Sequence, residues 1–140
     1  MKTRDINTSH LAGEFLVSGE LSRRGYLVSI TMGNAKAIDI FASTQKVGVI
    51  KIDVKASRYK TSWPIGKIDD TVYYIFVYLQ TEDKLRNENK SNVNTPPEYF
   101  IVQGKDIISK NFIEPWRNMP GIKYASLKEY RERWDILPPP

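Results

Sequence analysis

The stretch DTVYYIFVYLQ, residues 70–80, restricts the possible folds of this chain more than any other. β-Branched and aromatic residues dominate it, which is typical of a β-strand. Its apolar run is nearly continuous, which indicates a central strand that is covered on both faces of its sheet. A length of 140 residues suggests one domain, 1–140, built around a single core.

The first third of the chain predicts a helix followed by three strands. Thr8 or Ser9 can cap the helix, and Gly25 can end it in a left-handed conformation. YLVSITM and AKAIDIFAS flank Gly33-Asn34, which favours a tight hairpin turn. After a second turn, VGVIKIDVKAS adds a third strand. We therefore expect a helix and then a three-stranded meander.

The rest of the chain completes an α/β fold. We expect a polar surface loop over 82–97, a strand at EYFIVQ, a helix over 104–113, a short helix SLKEYRERW capped by Ser126, and a C-terminal tail over 135–140. The order of elements predicts one mixed sheet flanked by helices.

Composition restricts the class of protein. The chain has no cysteine, which excludes disulfides and thiolate metal sites. Its polar start lacks the apolar middle of a signal peptide, and no apolar run is long enough to span a bilayer. We therefore expect a cytoplasmic protein with no membrane partner. A net charge of +5 permits nucleic-acid binding.

The single histidine, His10, limits the possible chemistry. A metal cage of histidines is impossible, and a catalytic triad would have to use this residue. His10 is expected to be a solvated residue just before the first helix. Enzymatic chemistry would then rest on carboxylates, lysines and a hard cation held by oxygen atoms.

The second and third strands place acids on one face of the sheet. Side chains alternate between the two faces of a strand. Ile50, Ile52 and Val54 therefore share one face, and Lys51, Asp53 and Lys55 share the other. In the strand before, Ile38 and Ile40 point one way, and Asp39 points the other way with Ala37 and Phe41. Asp39 and Asp53 can thus share a face if the strands pair as neighbours.

Glu14 is a third acid that can join this group. It lies on a helical stripe with Leu11, Ser18 and Leu21, and the helix must cover one face of the sheet. Two carboxylates about 4 Å apart repel by roughly 4 kcal/mol at an effective dielectric constant near 20. Mg²⁺ or Mn²⁺ would remove that conflict. Lys55 could orient a water molecule, help to deprotonate it, or stabilise charge on a phosphate.

Plainer interpretations stand beside these. Asp39, Asp53 and Lys55 also fit a solvated strand face with a cross-strand ion pair, and Glu14 fits a surface residue. Trp63 can stack on a base but is expected to pack under its loop. Three cations that follow the third strand can contact phosphates or be ordinary loop charges: Arg58, Lys60 and Lys67.

With these residues, the chain resembles the PD-(D/E)XK nuclease superfamily, which includes restriction-type endonucleases and archaeal-type Holliday junction resolvases. The resemblance covers residues 9–57 and rests on Glu14, Asp39, the triplet Asp53-Val54-Lys55 and the order of elements. It departs from the family pattern at Ile38, where a proline is usual, and over 56–71, where a helix is usual.

The resemblance implies an α/β fold with a restriction-endonuclease-like core. It also implies a small stand-alone hydrolase of phosphodiester bonds, most simply in DNA. Asp39, Asp53 and the Val54 carbonyl would hold Mg²⁺ or Mn²⁺, Glu14 would assist, and Lys55 would act in catalysis. A homodimer would supply the two sites that a duplex cut requires. The alternative is a catalytically inactive module of the same fold that binds nucleic acid or a protein partner.

Overall fold

The computed structural model describes residues 3–31, 38–81 and 94–140, and for residues 3–7 only the backbone. The described elements are, in chain order, α1 (Thr3–Arg23), β1 (Val28–Ile30), β2 (Ile40–Thr44), β3 (Gly48–Ser57), β4 (Ser62–Pro64), β5 (Tyr73–Tyr78), β6 (Glu98–Gln103), α2 (Gly104–Ser109), β7 (Glu114–Trp116), β8 (Met119–Lys123) and two 3-10 helices (Tyr124–Tyr130 and Trp134–Ile136). Among the described residues, no helix combines the length and apolar character needed to cross a membrane.

The main sheet has five strands in the order β1-β2-β3-β5-β6. β1, β2 and β3 form the predicted antiparallel meander, β5 runs parallel to β3, and β6 is antiparallel to β5. The predicted turn at Gly33-Asn34 and most of the predicted 82–97 loop lie outside the described residues. The α/β class, the first helix and a mixed sheet are confirmed, whereas a second, three-stranded sheet was not predicted.

Both faces of this sheet are covered, as the β5 sequence predicted. Ile75 and Val77 of β5 join the core under α1, while Tyr74, Phe76 and Tyr78 join a second core on the opposite face. The second core lies against a small sheet, β4-β8-β7, and against α2.

Helix α1 differs from its prediction at its start, whereas Glu14, Ser18 and Leu21 of its predicted stripe are buried. It begins at Thr3, so His10 lies inside the helix and not before it. Leu11 and Phe15, which recur at helical spacing, are 44% and 52% exposed. The buried face carries mostly small and polar residues instead: Ser9, Gly13, Glu14, Val17, Ser18 and Leu21.

The end of α1 follows the prediction. Gly25 has a φ of +102°, Tyr26 N donates to Leu21 O at 3.0 Å, and Gly25 N donates to Ser22 O at 3.0 Å. This is the Schellman arrangement, in which a residue in the left-handed region lets the chain turn away while the last carbonyls stay bonded. It directs the chain into β1.

The C-terminal third departs most from its prediction. The helix predicted over 104–113 ends at Ser109, and the hairpin β7–β8 follows it. SLKEYRERW forms 3-10 turns, and the first of these has no side-chain cap, so Ser126 does not cap it. Three large side chains of this stretch are buried: Leu127, Tyr130 and Trp134. Residues 135–140, predicted to be a tail, pack back: Leu137 is buried, and Tyr26 Oη donates to Pro138 O at 2.6 Å.

Candidate metal and catalytic site

The candidate site lies where β2 separates from β3. The last β2–β3 pair on this side is Ile40 with Ile52, whereas β3 continues alongside β5 as far as Ser57. Asp39 comes just before β2, and its Oδ2 accepts a hydrogen bond from Val54 N at 2.7 Å. The Asp39 carboxylate thus accepts a hydrogen bond from a β3 amide at the point where strand β2 has ended. This hydrogen bond fixes the position of the carboxylate.

Helix α1 approaches β3 closely at Gly13. A Cβ atom on this residue would lie 2.6 Å from Ala56 Cβ and 3.3 Å from Val54 Cγ1, both side chains of β3. Only glycine allows this approach without displacement. Packing therefore explains why α1 carries glycine at Gly13, whereas a Cβ on Gly19 would meet nothing within 4 Å.

This approach brings two side chains of α1 onto Asp39. His10 Nε2 lies 3.1 Å from Glu14 Oε2 and 3.6 Å from Asp39 Oδ1. One ligand atom from each of the three residues lies within 4.8 Å of the others. Glu14 is 1% exposed and Asp39 is 6% exposed, whereas His10 is partly open to solvent. Two nearly buried carboxylates and an accessible imidazole therefore form one cluster.

Asp53 and Lys55 form the second part of the site. The predicted alternation of β3 is confirmed, because Ile50, Ile52 and Val54 are buried under α1. Lys55 Nζ lies 3.1 Å from Asp53 Oδ1. That buried oxygen accepts no hydrogen bond from the described residues. The contact with Lys55 is therefore an ion pair whose angles do not fit a hydrogen bond.

The electrostatics of Asp53 connect the two parts. Burial raises the pKa of the Asp53 carboxyl, the ammonium of Lys55 opposes that rise, and the charge of Asp39 adds to it. Asp53 and Asp39 are therefore electrostatic neighbours, as expected from the two strands. A carboxylate in this position needs more positive charge than Lys55 supplies.

The donor set fits a divalent cation. When ionised, the three carboxylates of Glu14, Asp39 and Asp53 and the ammonium of Lys55 by themselves leave two formal negative charges. Buried charges of one sign are costly unless they are paired or coordinate a metal. Carboxylate oxygens suit Mg²⁺ and Mn²⁺, and imidazole adds a nitrogen ligand that suits transition metals.

His10 belongs to the candidate site, although its sequence context did not predict this. It was expected to be solvated beside a helix cap, and the early start of α1 overturns that expectation. The available signal was its spacing from Glu14, because residues four apart lie on the same face of a helix. Its contact with Glu14 has this i, i+4 spacing.

The other predicted contact residues lie outside this cluster. Arg58 is half-buried and donates to Ser9 Oγ at 2.9 Å and to Thr81 Oγ1 at 3.1 Å, which ties the end of β3 to α1. Lys60 Nζ lies 4.8 Å from the ring centroid of Tyr124, and Lys67 is exposed in the loop after β4. Trp63 packs as expected: it is buried and donates to Val77 O at 3.1 Å.

The contact at Gly13 gives a test with an internal control. Gly13→Ala should destabilise the protein by about 1–3 kcal/mol, because the added methyl overpacks a strand that cannot yield. It should also weaken Mn²⁺ binding by moving His10 and Glu14 away from Asp39. Gly19→Ala, in open space on the same helix, should stabilise the protein by roughly 0.5–1 kcal/mol. Thermal denaturation and calorimetry measure both effects, and equal stabilisation by the two substitutions would show that α1 does not press on β3.

A helix that supplies an acid and an imidazole to the point where two strands of a mixed sheet separate is an arrangement suited to a metal-assisted hydrolase. The chain is similar in structure to a bacterial homing endonuclease, I-Ssp6803I, with a TM-score of 0.53 and 12% sequence identity. The similarity covers 91% of this chain and 87% of that one. No protein-family model and no curated protein matches the sequence. The chain therefore shares the fold of a nuclease.

Proposed function

We propose that the protein is a divalent-metal-dependent endonuclease that hydrolyses phosphodiester bonds in DNA, of the PD-(D/E)XK type. The observation that carries this proposal is the cluster of His10, Glu14 and Asp39 on a nuclease-like fold, with the Asp53–Lys55 ion pair as an electrostatic neighbour of Asp39. The structural similarity to a homing endonuclease supports the choice of DNA as substrate.

In this proposal, oxygen atoms of Glu14, Asp39 and Asp53 and the Val54 carbonyl hold Mg²⁺ or Mn²⁺. When bound, the cation would polarise a phosphoryl oxygen and make a nearby water molecule more acidic. Asp39 serves this site rigidly, because its second oxygen is held by Val54 N. The imidazole of His10 makes Mn²⁺ a better fit than Mg²⁺, so both ions belong in any assay.

Lys55 acts on the substrate in this scheme. Its ammonium lies beside Asp53 and is partly open to solvent, so it can meet a phosphate that approaches the site. A fixed positive charge at that position stabilises the negative charge that develops on the phosphate during hydrolysis. Phosphates farther along the substrate would meet Lys60 and Lys67. Arg58, already bonded to Ser9 and Thr81, would contribute mainly its charge.

Replacing Lys55 separates catalysis from metal binding. Lys55→Met should lower plasmid cleavage in Mg²⁺ or Mn²⁺ by about a hundredfold or more, because one preorganised charge is worth that much. Mn²⁺ binding should persist, since the carboxylates remain. Lys51→Met is the matched control, because Lys51 lies on the same face of β3 four residues earlier and donates to Thr71 Oγ1. Cleavage that survives Lys55→Met would remove the lysine from the mechanism, and DNA binding without any cleavage by the wild type would favour the inactive-module alternative.

Two active sites that act together can cut both strands of a duplex in one encounter, and we propose that two copies of the chain supply them. A pair acting together converts supercoiled plasmid directly to linear product. A single copy releases nicked circles first. The time course of plasmid products, together with sedimentation of the protein, distinguishes these cases.

A further inference from the structure

The tip of the β7–β8 hairpin is a feature that the proposed site does not use. Trp116 pairs with Met119, which leaves Arg117 and Asn118 as a two-residue turn. Their φ angles are +48° and +63°, so both lie in the left-handed region. Hairpin turns of this kind favour Asn-Gly, because other residues resist a positive φ. The chain therefore keeps a long cationic side chain where turn chemistry disfavours it.

The tip is exposed and its base is firmly packed. Arg117 and Asn118 both face solvent, and the guanidinium lies 5.2 Å from the ring centroid of Trp116. At the base, a Cβ on Gly121 would meet Trp116 Cβ at 3.1 Å and Trp63 O at 3.2 Å. A rigid ribbon thus presents a cation and an amide to solvent.

One short loop connects this tip with the candidate site. Ile65 N donates to Pro120 O at 3.1 Å, which places the tip beside the start of the 65–71 loop. That loop carries the exposed Lys67 and also two exposed acids, Asp69 and Asp70. Farther along it, Asp69 N donates to Tyr74 Oη at 2.9 Å, and Tyr74 is the register partner of Asp53. The hairpin therefore lies on the same side of the main sheet as Asp53.

We propose that the hairpin tip enters a groove of duplex DNA beside the cleavage site and reads bases there. This inference rests on the proposed function. The major groove is about 12 Å wide and admits a two-stranded ribbon. Arginine pairs with guanine and asparagine with adenine through two hydrogen bonds each. Arg117 and Asn118 are the two side chains that the turn projects, and Lys67 would contact the adjoining phosphates.

The test removes both reading side chains and keeps the turn. Arg117→Asn combined with Asn118→Gly creates the preferred turn sequence, so the hairpin should fold at least as well as before. The variant is made in the Lys55→Met protein, which should leave DNA intact, and is measured with Mn²⁺ on a mixed-sequence 24-base-pair duplex by fluorescence anisotropy. Affinity should fall by roughly five- to a hundredfold, the worth of one or two base contacts. Selection from a random duplex pool should show lost preference at one or two base positions.

The control is Arg23→Asn, which makes the same charge change on the exposed end of α1, on the opposite side of the sheet. The inference would be overturned if the hairpin variant kept the DNA affinity and base preference of its parent. An equal loss of DNA affinity in the Arg23 variant would also overturn it. Cleavage by the wild type is measured separately. If the wild type cleaves DNA but the hairpin variant binds DNA as tightly as before, the proposed function stands and the base-reading role of the hairpin is wrong. If the wild type binds duplex DNA through the hairpin but does not cut it, the base-reading role stands and the proposed nuclease function is wrong.

Discussion

Replacing Asp39 by asparagine should abolish metal binding and cleavage while leaving the fold intact. The amide oxygen of asparagine can still accept the hydrogen bond from Val54 N, so β3 keeps its contact. What disappears is the negative charge beside His10 and Glu14. Replacing a residue that only hydrogen-bonds to a metal ligand typically lowers metal affinity by about ten- to a hundredfold. Loss of a ligand itself should therefore lower the affinity by at least about a hundredfold.

Calorimetric titration with Mn²⁺ measures the loss, and plasmid cleavage should fall in parallel. Asp135→Asn is a suitable control, because that exposed carboxylate pairs with Arg133 away from the site. Circular dichroism checks that the Asp39 variant is folded. Mn²⁺ affinity equal to that of the wild type would mean that the carboxylate cluster does not hold the metal.

Replacing Asp53 by asparagine should make the metal-free protein more stable and the enzyme inactive. Burial and the charge of Asp39 both raise the pKa of Asp53, despite Lys55. The ionised form is therefore the costly one in the folded state, and a neutral side chain of the same shape avoids that cost. We expect the free energy of unfolding to rise by about 1 kcal/mol at neutral pH, which raises Tm by a few degrees. Stabilisation of this size is typical when a strained functional residue is replaced.

The pH dependence has a definite sign. Because the folded-state pKa of Asp53 lies above the ordinary value of 3.8, protonation of this carboxyl favours the folded state. That contribution is complete below the ordinary value and is lost as the pH rises through the folded-state pKa. The stability advantage of Asp53→Asn should therefore be largest at neutral pH and should shrink in acid.

Thermal denaturation with and without Mn²⁺ tests both parts of this prediction. Saturating Mn²⁺ at a hundred times its Kd should stabilise the wild type by about 2.7 kcal/mol, and should do much less for Asp53→Asn. A metal-free Asp53→Asn protein that is less stable than the wild type would show that the Lys55 ion pair outweighs burial at this position.

The part of the site on the strands could be predicted from the sequence because its pattern is local. Alternation along β3 places Asp53 and Lys55 opposite Ile52 and Val54, and the short connection from β2 brings Asp39 alongside. The contribution of α1 could be predicted only in part. Glu14, Ser18 and Leu21 of the predicted stripe are buried, but Leu11 is exposed, and the close contact of Gly13 with β3 leaves no apolar signal in the sequence.

The small sheet could not be predicted, and proline explains why. Each of its strands contains one: Pro64 in β4, Pro115 in β7 and Pro120 in β8. Proline lacks an N–H group and argues against a strand in any sequence pattern. Tertiary packing against Phe76 and Phe100 around Trp63 stabilises these short strands instead.

The most direct test of the proposed metal site is anomalous scattering from crystals of the wild-type protein grown with Mn²⁺. We expect one strong peak within about 2.5 Å of carboxylate oxygens of Asp39 and Glu14, with Asp53 turned toward it. The same crystals of Asp39→Asn should lack the peak. A Mn²⁺ ion bound elsewhere, with this cluster closed by its own contacts, would contradict the assignment of the cleavage site.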